Sequence, residues 1–485
     1  MKRSELEWLK HLIKCHDEEK RELKLLDLYY EGAQPLSYMA PELLAELDER
    51  VRQVVVNWPQ LVADSIEERL DVEGFRFPGE AAADAELWRI WQANNLDEQS
   101  QQGHLDALVM KRSYVVVGAD EAAPLTPLIT VESALDMHVE RDPRTRRVAA
   151  AVKRWSEDGE TGRKVDHATL YLPNATVWFV KDSGEWVEDP EFERDDHELG
   201  EVPVVVLANR GRLKCQGGVS EYKAVIPLSD AACKIATDMM VSAEYHATPR
   251  RVAFGFGEED FVDESGRRVS AFSRIIGRMW ATERHRGAGP DGGADVVQFP
   301  EASLGNFHDT INQLARLVAS LAGLPPHFLG YATENPTSAD AIRSSESRLV
   351  KRAERKQRAW GGAWEQVMRL ALRIRDGAWD DDARSLETLW RDASTPTIAQ
   401  KADAATKLFT AKIVPLRQTR EDMGYTQAQI ERMEQQDAEA AEDALQRVLA
   451  GDLAALEAGP KPQPPDEARP DEPDPASGEP VPVGG

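Results

Sequence analysis

The chain has 485 residues, of which 85 are Asp or Glu and 59 are Lys or Arg, so its formal net charge is −26 at pH 7. A chain of this length can form about two to four compact units with buried cores, which excludes disorder of the whole protein. Its mean field repels phosphate and therefore disfavours tight binding to DNA, RNA or anionic membranes over a large surface.

Cysteine spacing and hydropathy exclude further classes of protein. Cys15, Cys215 and Cys233 stand far apart, without the spacing of a cysteine zinc site or of a disulfide framework. No apolar run approaches the ~18 residues that cross a bilayer, and the first residues run directly into amphipathic sequence. We therefore expect a reduced protein that is neither secreted nor membrane-spanning, with no metal and no cofactor.

The first 112 residues carry mostly helical periodicity. Apolar residues such as Trp8, Leu12 and Leu23 predict an amphipathic first helix over 4–30. Further helices are predicted to begin near residue 42 and to cover 60–70, 81–95 and 96–112. From residue 114 the period changes to two, and short β-type runs predict a mostly antiparallel sheet; they lie at 114–117, 128–131, 148–155, 169–172, 177–180 and 202–207.

Two regular helices of about 27 Å each are predicted on either side of a small module. The first, 227–246, places Leu228, Ile235 and Met239 on one face. The second, 304–321, has apolar residues at alternating steps of three and four, which is typical of a helix that packs lengthwise against another; they are Leu304, Phe307, Ile311, Leu314, Val318 and Leu321. The segment between them, 250–300, has strand patterns at 251–254, 279–282 and 296–299 and is predicted to be an inserted αβ module.

A long helix is predicted from Ser338 to about Asp376, with Thr337 and Asp340 as a capping box. The pair Gly361–Gly362 lies within it, and each internal Gly costs ~1 kcal/mol relative to Ala, so we expect a bend or a close backbone approach there. A strand over 386–390 and two or three short helices between 397 and 449 follow. The acidic, Pro-rich stretch 457–485 is predicted to be a disordered tail.

The long helix reverses the acidic mean charge. Between Arg343 and Arg375 there are ten Lys or Arg and three Glu. This is either a solvated face paired with acidic neighbours or subunits, or a surface that faces a polyanion at a distance and makes loose contact with DNA. The candidate residues of this basic helix are Arg348, Lys351, Arg352, Arg355 and Lys356.

The sequence lacks complete catalytic motifs. It contains no Gly-Lys pair, which excludes a phosphate-binding P-loop, and no G-x-S-x-G elbow. Gly255-Phe256-Gly257 and His197-Glu198 lack the residues that would complete a dinucleotide or zinc-hydrolase motif. The run Asp380-Asp381-Asp382 could hold a divalent cation, but a solvated turn is the simpler interpretation. We expect no catalytic residues.

Taken in chain order, several short motifs resemble those of tailed-phage portal proteins, the head-to-tail connectors, of the type found in actinobacterial phages. Their order and spacing over about residues 20–375 carry the resemblance. The motifs are Leu28-Tyr29-Tyr30-Glu31-Gly32, Asn57-Trp58 before Leu61-Val62-Ala63-Asp64-Ser65, Leu70-Asp71-Val72-Glu73-Gly74-Phe75, Pro227-Leu228-Ser229-Asp230, Tyr245-His246-Ala247-Thr248-Pro249-Arg250, Gly323-Leu324-Pro325-Pro326-His327-Phe328-Leu329-Gly330 and Asn335-Pro336-Thr337-Ser338-Ala339-Asp340-Ala341-Ile342.

The resemblance implies an α+β, mainly helical portal fold that assembles into a dodecameric ring around a channel for double-stranded DNA. Its parts would be the N-terminal wing with helices and then antiparallel strands (1–219), two stem helices (220–246 and 304–323), an αβ clip (247–303), a candidate tunnel loop (324–337), a long wing helix and strand (338–396), a small helical crown (397–456) and the acidic tail (457–485).

The same resemblance implies contact residues for each part. Candidates for the DNA-channel loop are His327, Tyr331, Glu334, Asn335 and Thr337. Candidates for stem packing are Leu228, Ile235, Met239, Phe307, Ile311, Leu314 and Val318. Candidates for a clip surface that binds terminase or adaptor are Arg250, Arg251, Arg267 and Arg268.

The implied partners are further copies of the chain, double-stranded DNA held weakly and without sequence specificity, the terminase large subunit, the head-tail adaptor, and the major capsid and scaffolding proteins. No membrane partner is implied. The implied location is the portal vertex of the virion, and the host cytoplasm during assembly. Two alternatives stay open: another oligomeric virion or scaffold protein, and a metal-dependent hydrolase or nuclease that uses the acidic clusters.

Overall fold

The computed structural model describes residues 3–35, 54–80, 83–158, 164–247, 251–254, 295–298, 304–330, 339–394, 398–425 and 427–449. For 244–247, 251–254, 295–298, 339–343, 398–400, 427–428 and 447–449 the backbone alone is described. The chain forms two compact units, Met1–Thr397 and Ile398–Gly485. The predicted helix near residue 42, the predicted strand at 279–282, the Thr337 capping box and the acidic tail lie outside the described residues.

The first unit begins with the predicted amphipathic helix. Helix α1 (Glu5–Tyr30) starts at Ser4, whose side chain accepts a hydrogen bond from the Glu7 backbone, while the Glu7 side chain accepts one from the Ser4 backbone. Leu12 and Leu23 of its apolar face are fully buried, and Trp8 is partly buried. The 3.6-residue period of the sequence therefore identified both this helix and its buried side.

The remaining elements of the first unit alternate between helical and extended regions. The helices are α2 (Trp58–Glu67), α3 (Ala85–Ala93), α4 (Leu96–Val109), α5 (Ile226–Ala247), α6 (Gly305–Ala322) and α7 (Ala339–Asp376). The strands are β1 (Val72–Arg76), β2 (Arg112–Gly118), β3 (Leu128–Glu132), β4 (Met137–Arg141), β5 (Val148–Asp158), β6 (Lys164–Tyr171), β7 (Thr176–Asp182), β8 (Glu185–Glu188), β9 (Val204–Ala208), β10 (Arg251–Phe254), β11 (Asp295–Gln298) and β12 (Glu387–Trp390). Short 3₁₀ turns cover Pro326–Leu329 and Asp382–Ser385.

All of the pairings among these strands are antiparallel, as the alternating β-type runs predicted. Strands β3, β2 and β9 form one sheet, and β4 to β8 follow one another in a five-stranded meander. Two ribbons, β1 with β12 and β10 with β11, complete the pairing of the described strands. The fold is α+β with 51% of it helical, which confirms the predicted fold class.

Three of the described strands were not predicted: β1, β4 and β8. Strands β4 and β8 are the two edges of the five-stranded sheet, and β1 belongs to a two-stranded ribbon. Edge strands carry charged side chains, as in Met-His-Val-Glu-Arg over β4, because one side of each faces solvent or a loop. Their sequences therefore lack the continuous β-branched pattern that identified the central strands.

Helix α7 crosses the main hydrophobic core. Trp360 and Trp364 are 1% and 0% exposed, and both belong to the larger of two buried clusters. The predicted close approach is present at Gly361, where an added Cβ atom would lie 3.1 Å from Nε1 of Trp390. The Thr388 hydroxyl donates to the Gly361 carbonyl at 3.0 Å, so the glycine lets strand β12 lie directly against the helix.

A second, smaller cluster lies between α1 and the five-stranded sheet. Leu9 and Leu12 of the helix pack there against sheet residues that include Val152, Leu170 and Phe179. The sheet is thus attached to the rest of the first unit partly through the N-terminal half of α1.

The described residues of the second unit form three helices, in agreement with the two or three predicted between 397 and 449. These are α8 (Ile398–Thr410), α9 (Leu416–Met423) and α10 (Gln427–Leu449). Arg417 of α9 pairs with Glu434 of α10 at 3.1 Å. Ile430 is 1% exposed, and it anchors α10 within this small unit.

Candidate functional site

The predicted pair of long helices is present as α5 and α6. The two helices pack against each other, and the antiparallel ribbon β10–β11 follows the first and precedes the second. On α6, Val318 is fully buried, and Ile311 and Leu314 pack at the margin of the main core. On α5, Leu228 also packs against the core, whereas Ile235 and Met239 are partly buried. Phe307 near the start of α6 is partly buried as well.

Apolar side chains on the outer faces of this pair are exposed. Met240 of α5 is 49% exposed, and Leu317 and Leu321 of α6 are 43% and 50% exposed. Leu321 was expected in the buried seam, but it is exposed, and Val318, Ala319 and Ala322 are the buried residues of the last turns of α6. Both helices of the pair therefore carry apolar side chains that the described part of a single chain leaves uncovered.

Several motifs that carry the family resemblance meet at the base of α5. The Tyr29 hydroxyl donates to the Asp230 carboxylate at 2.9 Å, and the Tyr30 hydroxyl donates to Asp64 at 2.9 Å. The side-chain amide of Asn57 donates to the Tyr30 carbonyl at 2.8 Å. Ser229 donates to the Val56 carbonyl at 2.8 Å. Residues far apart in the sequence thus hold the first turn of α5 against α1 and α2.

A buried ionic cluster fixes the segment just before α5. The Glu221 side chain is fully buried; one of its oxygens lies 2.7 Å from Nζ of Lys356, and the other contacts the Arg352 guanidinium. The Asn209 amide donates to the same carboxylate at 3.0 Å, and Nε of Arg210 lies 3.4 Å away. Burial alone would raise the pKa of Glu221, but Lys356, Arg352 and Arg210 together lower it to about 2. Glu221 is therefore an ionised carboxylate that ties α7 to the start of α5.

The candidate Lys and Arg residues of the basic helix, α7, fall into two sets, one that points into the protein and one that points outward. Arg352 and Lys356 point into the protein and bind Glu221, so Lys356, at 7% exposure, is not part of a solvent-facing surface. Arg348 donates to the Ser320 carbonyl at 2.8 Å, near the C-terminal end of α6, where a cation is favourable. Lys351 lies on the exposed side, where it pairs with a neighbouring glutamate of its own helix. Arg355 is exposed, and none of the described residues forms an ion pair with it.

The candidate channel loop and clip are described only in part. His327 lies in the 3₁₀ turn after α6, with its side chain 45% exposed and Nε2 3.9 Å from the Glu346 carboxylate. Arg251 begins strand β10, opposite Gln298 of β11. The other candidates lie outside the described residues; they are Tyr331, Glu334, Asn335, Thr337, Arg250, Arg267 and Arg268.

The structure contains an arginine-lined cleft that no sequence pattern indicated. It has a volume of about 910 Å³, and its lining includes Arg141, Arg146, Arg147, Arg369 and Arg384. Its arginines come from widely separated segments, so no local pattern could have indicated the cleft.

The Asp380–Asp382 run is part of a surface turn. The Asp380 carboxylate accepts a hydrogen bond from the Asp382 backbone at 2.9 Å, and Asp381 pairs with Arg384 at 3.1 Å with both side chains exposed. This geometry fits the solvated turn predicted from the sequence. Across the described helices, none is long and apolar enough to span a bilayer.

Comparison with known proteins assigns the chain to a class. The portal protein of Mycobacterium phage D29 is 39% identical over 440 residues, which are 89% of this chain and 88% of the relative. The portal protein of Mycobacterium phage L5 is 38% identical over 473 residues, which are 93% of this chain and 94% of the relative. The chain is thus a portal protein, a structural component of a phage virion at the capsid vertex, and the resemblance to portals of actinobacterial phages is confirmed.

Within this class, the family described as phage portal protein, SPP1 Gp6-like, matches residues 9–443, and the chain belongs to that family. Similar chains also occur in solved structures of gene transfer agent (GTA) particles. One, from the virion of the native particle, is 15% identical with a TM-score of 0.43 and covers 80% of this chain and 95% of that chain. Another, from the neck of the empty particle computed with C6 symmetry, is 13% identical with a TM-score of 0.45 and covers 76% of this chain and 88% of that chain.

Proposed function

We propose that copies of this portal protein form a dodecameric ring around a channel for double-stranded DNA, with α5 and α6 as its stem. The observation that carries the proposal is the exposure of apolar side chains on both helices of the pair, Met240 on α5 and Leu317 and Leu321 on α6. A ring supplies each helix pair with a neighbour on both sides, so side chains that one chain leaves in water become covered by the next.

Weak contact with DNA follows from the distribution of charge. The whole chain is strongly acidic, and two of the five candidate cations of α7, Arg352 and Lys356, are held inside the protein by Glu221. Arg355 remains on the outer face as a cation that is free of ion pairs to the described residues. A channel protein has to let DNA move past it. Each contact between a cation and a phosphate slows this movement, so we expect few phosphate contacts and no sequence-specific contacts with bases.

The partners of the ring are proposed part by part. The clip, 247–303, would bind the terminase large subunit during packaging and the head-tail adaptor afterwards. The wing would contact the major capsid and scaffolding proteins during assembly in the host cytoplasm. Each of these roles is structural, and we propose no catalytic step for this chain. A role as another oligomeric virion or scaffold protein would place the same ring away from the portal vertex.

The ring is tested with paired surface variants. Electron microscopy and mass measurement of purified wild-type protein should show closed rings with a central hole. Leu317→Glu places a charge on the stem surface and should yield monomers or open fragments, because burying an unpaired carboxylate between subunits is unfavourable. Leu125→Glu is the matched control, since Leu125 is 72% exposed in the loop before β3, and it should form rings as the wild type does.

Two outcomes would refute the proposal. The first is a wild-type protein that stays a monodisperse monomer at high concentration. The second is Leu317→Glu protein that forms the same rings as the wild type, which would place the subunit interface away from α6. Localisation of the ring at a single vertex of assembled particles separates a portal from another virion or scaffold protein.

A further inference from the structure

Three side chains with metal-binding donor atoms meet beside the N-terminal half of α1. His11 and Cys15 are four residues apart on the helix and therefore share one face, and Glu140 lies on the edge strand β4. Sγ of Cys15 is 3.8 Å from Nε2 of His11, and the same nitrogen contacts Oε2 of Glu140. The three donor atoms all lie within 4.8 Å of one another.

We propose that His11, Cys15 and Glu140 form a binding site for one zinc ion, which links α1 to the five-stranded sheet. A tetrahedral zinc ion with Zn–N and Zn–S bonds of about 2.0 and 2.3 Å places nitrogen and sulfur ligands about 3.5 Å apart, close to the separation seen here. The combination of a thiolate, an imidazole and a carboxylate favours a borderline-soft ion such as zinc over Mg²⁺ or Ca²⁺, because those two ions prefer oxygen ligands alone.

The surroundings of the three side chains suit a three-ligand site. The His11 and Glu140 side chains are 31% and 34% exposed, so solvent can reach the position of a fourth ligand, which water would supply. The second oxygen of Glu140 is 3.4 Å from the Arg3 guanidinium, which favours metal binding through one carboxylate oxygen. Arg3 also places a positive charge near the ion and thereby weakens its binding, while one thiolate and one carboxylate balance the two charges of zinc.

Metal binding replaces protons at this site. When zinc binds, the thiol proton leaves to solvent and the contact between His11 and Glu140 is exchanged for two bonds to the metal. The site joins positions 129 residues apart, at the margin of the smaller hydrophobic cluster that attaches the sheet to α1.

The spacing of the three cysteines excluded a zinc site built from several cysteines. It did not test a site in which one cysteine is combined with a histidine and a glutamate. The signal available in the sequence was the His11–Cys15 pair at four-residue spacing on a predicted helix. The third donor, Glu140, comes from an edge strand that sequence patterns did not identify. The proposal is independent of ring formation, since all three ligands belong to one chain.

The site is tested on the full-length protein with zinc and with Co²⁺ as a spectroscopic probe. After removal of metal with a chelator and reloading, the wild type should retain one zinc per chain through gel filtration. With Co²⁺ it should show the sulfur-to-metal charge-transfer band of a thiolate ligand and the visible bands of a tetrahedral ion. Cys15→Ser should lose the charge-transfer band, and His11→Gln should weaken zinc binding by at least about tenfold.

Cys215→Ser is the matched control, because Cys215 is also a partly buried thiol but does not belong to the cluster of donor atoms formed by His11, Cys15 and Glu140. It should keep the band and the zinc stoichiometry of the wild type. A wild-type protein that retains no zinc and gives no thiolate band with Co²⁺ would overturn the proposal. A band that survives Cys15→Ser, or that disappears in Cys215→Ser, would place any bound metal elsewhere and would overturn it equally.

Discussion

Replacing Glu221 by Gln should destabilise the first unit strongly, because it leaves two cations buried without their carboxylate. Arg352 depends on Glu221 in particular, since its Nε and Nη1 atoms are buried and have no hydrogen-bond partner among the described residues. The pKa of Glu221 falls from 4.5 to about 2. A difference of about 2.5 in pKa corresponds to about 3 kcal/mol in favour of the charged form, at 1.36 kcal/mol per unit.

An independent estimate agrees with this magnitude. Removing one partner of a buried ion pair costs about 3–5 kcal/mol in other proteins, because the remaining charge stays desolvated. A free energy of unfolding of about 5–15 kcal/mol is typical of a domain, so Glu221→Gln should remove a large share of it. We expect a loss of about 3 kcal/mol, measured by denaturant unfolding at one fixed protein concentration so that subunit association contributes equally to each variant.

Glu354→Gln on the same helix is the matched control. Glu354 contacts Lys351 at 2.6 Å, nearly the distance between Glu221 and Lys356, but its side chain is 43% exposed. Water replaces such a contact, so the loss should stay below about 1 kcal/mol. The double variant Glu221→Gln with Lys356→Met should recover part of the stability, because it removes one of the two unpaired cations.

The pH dependence gives a second check on the role of Glu221. Its folded-state pKa is lower than its unfolded-state value, so its contribution is fully present above about pH 4.5 and is lost as the pH falls toward 2. The difference between wild type and Glu221→Gln should shrink over that window. If Glu221→Gln lowers the free energy of unfolding at pH 7 by no more than Glu354→Gln does, the Glu221 carboxylate does not hold α7 to the start of α5, and the prediction is wrong.

Three further predictions concern single buried or strained positions. Burial, followed by Asp71, Asp64 and Glu68, raises the pKa of Glu67 from 4.5 to about 7, so its contribution lowers the stability of the fold progressively as the pH rises from 4.5 to 7. Glu67→Gln should therefore raise the free energy of unfolding by about 2 kcal/mol at pH 8 and by little at pH 4, and equal gains at pH 4 and pH 8 would contradict this. At Gly218 (φ +83°) an added Cβ would lie 2.2 Å from the Lys111 carbonyl oxygen, whereas at Gly79 (φ +85°) it meets nothing within 4 Å. Gly218→Ala should therefore lower the free energy of unfolding by about 3 kcal/mol or more, and Gly79→Ala by about 1 kcal/mol, as measured by denaturant unfolding. Similar losses in the two variants would show that the added Cβ at residue 218 does not clash with Lys111. The indole of Trp364 donates to Nε2 of buried His104 at 2.9 Å, so Trp364→Phe should cost at least about 1 kcal/mol through the unpaired imidazole, and an unchanged unfolding midpoint would exclude that contribution.

The helices were predictable from the sequence because their information is local. The 3.6-residue period located α1, α5, α6 and α7 to within a few residues, and the internal glycines of α7 indicated its close contact with β12. The central strands were equally visible through β-branched runs. Edge strands such as β4 were missed because their polar residues face outward in a pattern that local propensity cannot distinguish from a loop.

Contacts between distant residues were not predictable in the same way. The motifs containing Tyr29 and Asp230 were identified separately, but their hydrogen bond joins positions 201 residues apart. The basic helix was seen as one charged surface, whereas the structure separates Arg352 and Lys356, which bind Glu221, from the exposed Arg355. That separation depends on a glutamate 131 residues before Arg352, which a sequence pattern has no means to pair with it.

The ribbon of β1 and β12 has a consequence for the timing of biosynthesis. Arg76 of β1 is paired with Glu387 of β12, 311 residues later in the chain. At translation rates of about 5–20 residues per second, the first strand waits roughly 15–60 s on the ribosome for its partner. The first unit therefore reaches its complete pairing only when almost all of it has been synthesised, so a nascent or truncated chain that ends before β12 lacks the partner strand of β1.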